Sequence, residues 1–178
     1  MRKIVLTFGL IAGAILSVMM LLTIPFADRI GFDKGAIIGY STMVLAFLMV
    51  YFGVRSYRDN VAGGSVSFGR AFSVGLLIVV IASACYVATW QFIYYRVTPD
   101  FMEKYSAYTL EKARSGGASE AEIAAKAEEM AKFSELYKNP LVNIGFTFLE
   151  PLPVGLVFTL VTAGALSRKR RAAEPAVA

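Results

Sequence analysis

Leu141-Val-Asn-Ile-Gly-Phe-Thr-Phe-Leu-Glu150-Pro-Leu-Pro-Val-Gly155-Leu-Val-Phe-Thr-Leu-Val-Thr-Ala-Gly-Ala-Leu166 is 26 residues long and holds a single charge. At about 1.5 Å of rise per residue, about 20 apolar residues cross a hydrocarbon core roughly 30 Å thick. The run is therefore a transmembrane helix. It also carries two violations of what lipid tolerates. Glu150 is ionisable, and Pro151 and Pro153 each remove a backbone donor. Function is sought there first.

Three further runs repeat the pattern. Ile4–Ile24, Ala36–Val54 and Ala71–Tyr95 contain no charge at all. The whole chain of 178 residues is 57% hydrophobic, with mean hydropathy +0.59, too apolar for an ordinary soluble domain. Fold class follows: all-α, an integral membrane protein with four transmembrane helices (4–24, 36–54, 71–95, 141–166). Arg2 and Lys3 precede the first run as they would a secretory signal. Its 21 apolar residues exceed the roughly 7–15 of a signal core. Ala27, the nearest small residue, has Pro25 at the −3 position, so the first helix is expected to stay uncleaved.

Charges outside the runs fall into two sets. Arg2, Lys3, the 55–70 loop and the tail after Leu166 hold nine Lys/Arg and two acids; the 25–35 and 96–140 loops hold nine Lys/Arg and ten acids. The totals tie, and position decides. Seven of the second set's basic residues lie in the 45-residue loop, and long loops cross membranes largely regardless of charge. The first set hugs the membrane and includes Arg168-Lys169-Arg170-Arg171. Both termini are expected in the cytoplasm of a bacterium, with the long loop outside the inner membrane. The basic tail is read as a topology signal, not a nucleic-acid site. Trp90, Tyr94 and Tyr95 at one end, with Tyr51, Phe52 and Tyr57 at the other, suit the headgroup levels.

The loop 96–140 is expected to be an external helical hairpin. Phe101, Tyr105 and Tyr108 share one helix face, and Gly116-Gly117 breaks it. Ser119 with Glu122 reads as a capping box opening a second helix striped by Ile123, Ala127, Met130, Phe133 and Tyr137. Such stripes bury against each other, bind a partner, or cover an opening. On the cytoplasmic side Arg55 and Asp59 stand four apart and pair if the second helix continues, Arg58 and Arg70 flank them, and Gly63-Gly64 suits a turn of positive φ. Glycine amides beside arginines can also hold an anion.

Little else points to chemistry. The chain has no histidine, and its one cysteine, Cys85, sits mid-span as a small hydrophobe. Intramolecular disulfides and Cys/His zinc sites are thereby excluded. Neither a catalytic residue nor a cofactor is expected. Glu150 lies 16 residues from Leu166, about 24 Å along a straight helix, hence shallow beneath the outer boundary. There it can meet Arg96, Gln91 or Tyr94, act as a protonatable group in a cavity with carbonyls freed by Pro151 and Pro153, or contact a partner. Gly9, Gly13 and Ser17, like Gly35 and Gly39, recur at a spacing that serves either self-association or internal packing.

Five stretches carry a resemblance: Gly35-Ala-Ile-Ile-Gly-Tyr40, Tyr51-Phe-Gly-Val-Arg-Ser-Tyr-Arg-Asp-Asn60, Gly63-Gly-Ser-Val-Ser-Phe-Gly-Arg-Ala-Phe72, Tyr137-Lys-Asn-Pro-Leu141 and Phe148-Leu-Glu-Pro-Leu-Pro-Val-Gly155. Together they resemble a family of small bacterial membrane proteins called domain of unknown function 4199. The resemblance implies four membrane helices with an external helical insertion and assigns no activity, cofactor or catalytic residue. Pro151 departs from the family's apolar residue at that place. The expected role is a non-enzymatic membrane protein that scaffolds or modulates partners in the bilayer, membrane proteins or further copies of itself. A small transporter or channel subunit using Glu150 is the competing reading.

Overall fold

The computed structural model describes residues 1–167, and the basic block 168–171 lies outside them. Eight α-helices follow one another: α1 (Arg2–Thr23), α2 (Ala27–Ile30), α3 (Phe32–Asn60), α4 (Phe68–Phe92), α5 (Phe101–Ser115), α6 (Glu120–Tyr137), α7 (Pro140–Leu149) and α8 (Leu152–Leu166). Four spans are long and apolar enough to cross a membrane: Arg2–Ile30, Phe32–Asn60, Phe68–Val97 and Pro140–Leu166. Helix is the form these segments must take in lipid, because it satisfies every interior backbone group without water.

α4 is the hub, packing against α1, α3, α7 and α8. It runs parallel to α1, and their contact has three rungs at four-residue spacing. A Cβ on Gly9 would stand 2.8 Å from Ile81 Cβ, and one on Gly13 would stand 2.7 Å from both Cβ and Sγ of Cys85. In the third rung Thr89 Oγ1 donates to Ser17 Oγ at 2.8 Å. The small-residue stripe of α1 therefore packs within the chain, and Cys85 is a packing group. Gly35 and Gly39 differ, with nothing within 4 Å of either added Cβ.

Across α4 the partner is α8. A Cβ on Gly155 would stand 2.5 Å from Val79 Cγ1 and 3.2 Å from Phe47 Cζ, so α8 closes on both α4 and α3. Met43, Phe47, Val50, Val54, Val74, Ile78 and Val79 fill this core with 0–2% of their surface exposed. α3 contributes buried residues from Thr42 onward and none from Phe32 to Ser41. Its first ten residues thus diverge from the bundle.

At the end of the bundle that bears the termini, α3 continues as one helix to Asn60, six residues past the apolar run. Arg55 meets Asp59 there at 3.7 Å and Arg58 meets it at 2.7 Å. Gly63 and Gly64 take φ of +67° and +86°, the left-handed region that glycine enters without steric cost. The Gly64 amide closes the helix on the Arg58 carbonyl at 2.9 Å, and Arg70 donates to Tyr57 Oη at 3.3 Å. Arg55, Arg58 and Arg70 thus each bond within their own chain, and so does one of the glycine amides.

At the opposite end α5 and α6 pair as a hairpin folded over the helix ends. Both stripes are occupied internally. Phe101, Tyr105 and Tyr108 surround Phe32, with ring centroids 4.9–5.9 Å from it. Met102, Met130 and Tyr137 bury against Met20, Trp90, Ile93 and Tyr94. Lys104 bridges to Asp28 at 2.7 Å and Lys112 to Asp33. Hydrogen bonds to these carboxylates raise both ammonium pKa values. Such exposed pairs orient the hairpin more than they stabilise it. Trp90 and Tyr94, at the end of α4 where the headgroup level was expected, are covered by the hairpin, and Tyr95 stays exposed.

The capping box forms as expected. Ser119 Oγ accepts from the Glu122 amide at 3.3 Å, and the Glu122 carboxylate accepts from the Ser119 amide at 2.8 Å. Ser119→Ala is expected to lower the stability of α6 by about 1 kcal/mol. Faster amide exchange confined to the first turn of α6 would show it, and unchanged exchange there would refute it.

Candidate functional site: a polar seam between α4 and α7

The span 141–166 is two helices, not one. Pro151 has no N–H to reach the Thr147 carbonyl, so α7 ends at Leu149 and α8 begins at Leu152. Glu150 and Pro151 keep right-handed helical torsions, which makes the break a kink. Pro153 falls in the first turn of α8, where a helix tolerates a missing N–H. Pro151 itself is fully buried, and Pro153 faces out.

Asn143, Thr147 and Glu150 fall four and three residues apart, one face of α7. That face looks at α4, antiparallel to it, and bonds form in register. Gln91 Nε2 donates to Asn143 Oδ1 at 2.6 Å. Tyr86 Oη donates to Glu150 Oε2 at 3.0 Å. Between them Trp90 Nε1 donates to Tyr137 Oη at 3.0 Å. The Thr147 hydroxyl donates to the Asn143 carbonyl at 2.8 Å, which leaves its lone pairs to accept from Tyr137 at 3.3 Å. Burial pushes the Tyr137 phenol pKa up, so that group stays a neutral donor. Asn143 is fully buried, and its Nδ2 has no partner among the described residues.

Glu150 is the exposed end of this seam. Its donor is Tyr86, not Arg96, Gln91 or Tyr94. The reason is register. Arg96 lies ten residues beyond Tyr86, about 15 Å along the helix axis, in the π-helical turn Ile93–Val97. Gln91 is engaged by Asn143, and Tyr94 lies in the hairpin cluster. Arg96 is exposed with no ion pair among the described residues. Arg55, Arg58, Asp59 and Arg70 gather at the other end of the bundle. The nine residues singled out by sequence therefore form two groups, with Arg96 apart from both, and not one site.

Sequence reasoning missed Tyr86, Asn143 and Thr147. Asn143 was discoverable, being an amide in an apolar run two turns before Glu150 on its own face. Tyr86 was not, because nothing in one sequence gives the register between α4 and α7.

A second hollow, 420 Å³ in volume, opens at the hairpin end between Asp28, Phe32, Asp33, Lys34 and Tyr108. Its two carboxylates are already paired with Lys104 and Lys112. The polar seam is thus the stronger candidate.

A family model described as protein of unknown function, DUF4199, matches residues 7–168. No curated protein and no solved structure matches the chain.

Proposed function

The chain belongs to the DUF4199 family, and on that footing we propose a non-enzymatic protein of the bacterial inner membrane that scaffolds or modulates other membrane proteins by lateral contact. In this reading both termini are cytoplasmic and the hairpin is external, as the positions of the basic residues favour. One observation carries the proposal: the carboxylate of Glu150 lies on the outside of the bundle, within a membrane span, held by one hydrogen bond.

Ionisable groups in lipid normally turn inward or pair, because exposing them to hydrocarbon is costly. A carboxylate turned outward asks for a partner that covers it. The hairpin offers less, since its apolar stripes pack largely against its own chain. A transporter or channel subunit would want Glu150 turned into an enclosed path, and its outward position favours contact instead.

The test is photocrosslinking in intact membranes from position 149, whose leucine is 59% exposed beside Glu150, compared with position 128 on the solvent face of α6. The expected result is adducts from position 149 that vanish in Glu150→Gln. Adducts from position 128 alone, or adducts from 149 indifferent to Glu150→Gln, would refute lateral contact at this seam.

A further inference from the structure

We infer that the occupant of the Glu150 seam is a transmembrane helix of a different protein bearing one Lys or Arg at the depth of Glu150, rather than a second copy of this chain. The inference rests on the lateral-contact reading above and specifies the partner's chemistry.

Charge decides the first half. Glu150 Oε2 accepts from Tyr86, and Oε1 has no bond among the described residues. A carboxylate with a free oxygen in a low-dielectric setting is satisfied best by a cationic donor. The four apolar runs hold no Lys or Arg. A second copy therefore brings no cation to this depth, and a symmetric contact through the seam would set one carboxylate against another.

Shape decides the second half. α3 and α7 are neighbours of α4 that share few or no contacts with each other. Phe32–Ser41 of α3 buries nothing, and α7 buries only Asn143 and Thr147, both toward α4. The faces of α3 and α7 that turn away from the bundle are thus left uncovered on either side of α4. Tyr86 of α4 donates to Glu150 on the α7 side. Ile37 and Tyr40 are 67% and 57% exposed, and Gly35 and Gly39 on the same stretch have open space beside them. An apolar surface with open glycines on α3 and a carboxylate beside α7 fits a helix, which glycine lets approach closely.

The experiment uses the full chain in phosphatidylcholine vesicles with a tryptophan-free Leu/Ala transmembrane peptide carrying a dansyl group. Trp90, the only tryptophan, is the energy donor. Three peptides carry Arg, Gln or Glu at the position level with Glu150. Wild type is expected to bind the Arg peptide about tenfold more tightly than the Gln peptide. Glu150→Gln should erase the preference, Glu150→Asp should keep it, and Glu150→Lys should transfer it to the Glu peptide. Helical circular dichroism checks that each variant folds. Equal binding of the Arg and Gln peptides by wild type and Glu150→Asp overturns the cation inference. If that binding still weakens in Glu150→Gln, lateral contact survives alone. No binding of any peptide, with no adducts from position 149, overturns both. Energy transfer between labelled copies of wild type that outcompetes the Arg peptide also overturns the inference, in favour of a second copy.

Discussion

Gly155→Leu is expected to unseat α8 from the bundle, while Gly145→Leu, ten residues earlier in the same span, leaves the protein as stable as before. Both changes add the same apolar side chain to a membrane helix, so hydropathy and helix propensity favour them equally. Packing separates them. At Gly155 the first added carbon already meets Val79 and Phe47, and each of those side chains is fully buried. Neither yields easily: valine is stiff at χ1, and Phe47 is closed in by the core. Overpacking of a filled core costs about 1–3 kcal/mol, and more when no rotamer relieves it. At Gly145 nothing lies within 4 Å, and leucine there would face lipid. Unfolding of the purified protein in mixed micelles reads the difference. Equal midpoints for the two variants would mean that α8 does not close on α3 and α4 through Gly155.

The same contrast shows what one sequence can and cannot say. The four spans, the hairpin, the capping box and the Gly63-Gly64 turn were legible because each depends on composition or spacing within about twenty residues. Length against bilayer thickness fixes the spans, and Ser119-x-x-Glu122 satisfies its own amides. Partners were a different matter. The stripe Gly9, Gly13 and Ser17 announced close packing but not its address, which is Ile81, Cys85 and Thr89 on α4. Glu150 drew attention as a charge in an apolar run, yet the neighbours expected for it were chosen by distance from the membrane boundary. Helix register ranks them instead, and register places Tyr86 beside it. The kink had a local signal in Pro151, and its depth relative to α4 had none. Trp90 was assigned to the headgroup level because a tryptophan at a span's end usually meets headgroups. Nothing in the span itself showed that the hairpin beginning at Phe101 would cover it.

Trp90→Ala should release that hairpin while the four-helix bundle stays folded. Trp90 is 7% exposed, meets Phe101 edge-on at 4.8 Å, contacts Tyr94 at 5.8 Å and gives its N–H to Tyr137. It therefore joins α5, α6 and the end of α4 in one contact. Truncating a buried tryptophan to alanine costs about 3–5 kcal/mol. The rest of the attachment is Met102, Met130 and Tyr137 against Met20, Ile93 and Tyr94 around that tryptophan, Phe133 against Phe146, Phe32 among three rings of α5, and two exposed ion pairs, and such pairs contribute little. The loss should therefore fall on the hairpin, with amide exchange in α6 rising about 10²–10³-fold and proteolysis appearing at Gly116-Gly117. Exchange in α8, and in α1 as far as Leu16, should not change, since those contacts lie in the other apolar cluster. Trp90→Phe isolates the polar part. It keeps most of the packing but leaves the Tyr137 oxygen without its indole donor, for a loss of about 1 kcal/mol. If Trp90→Ala opens α8 along with α6, the hairpin and bundle are a single cooperative unit. Unchanged exchange in α6 would instead mean that the other contacts hold the hairpin without Trp90.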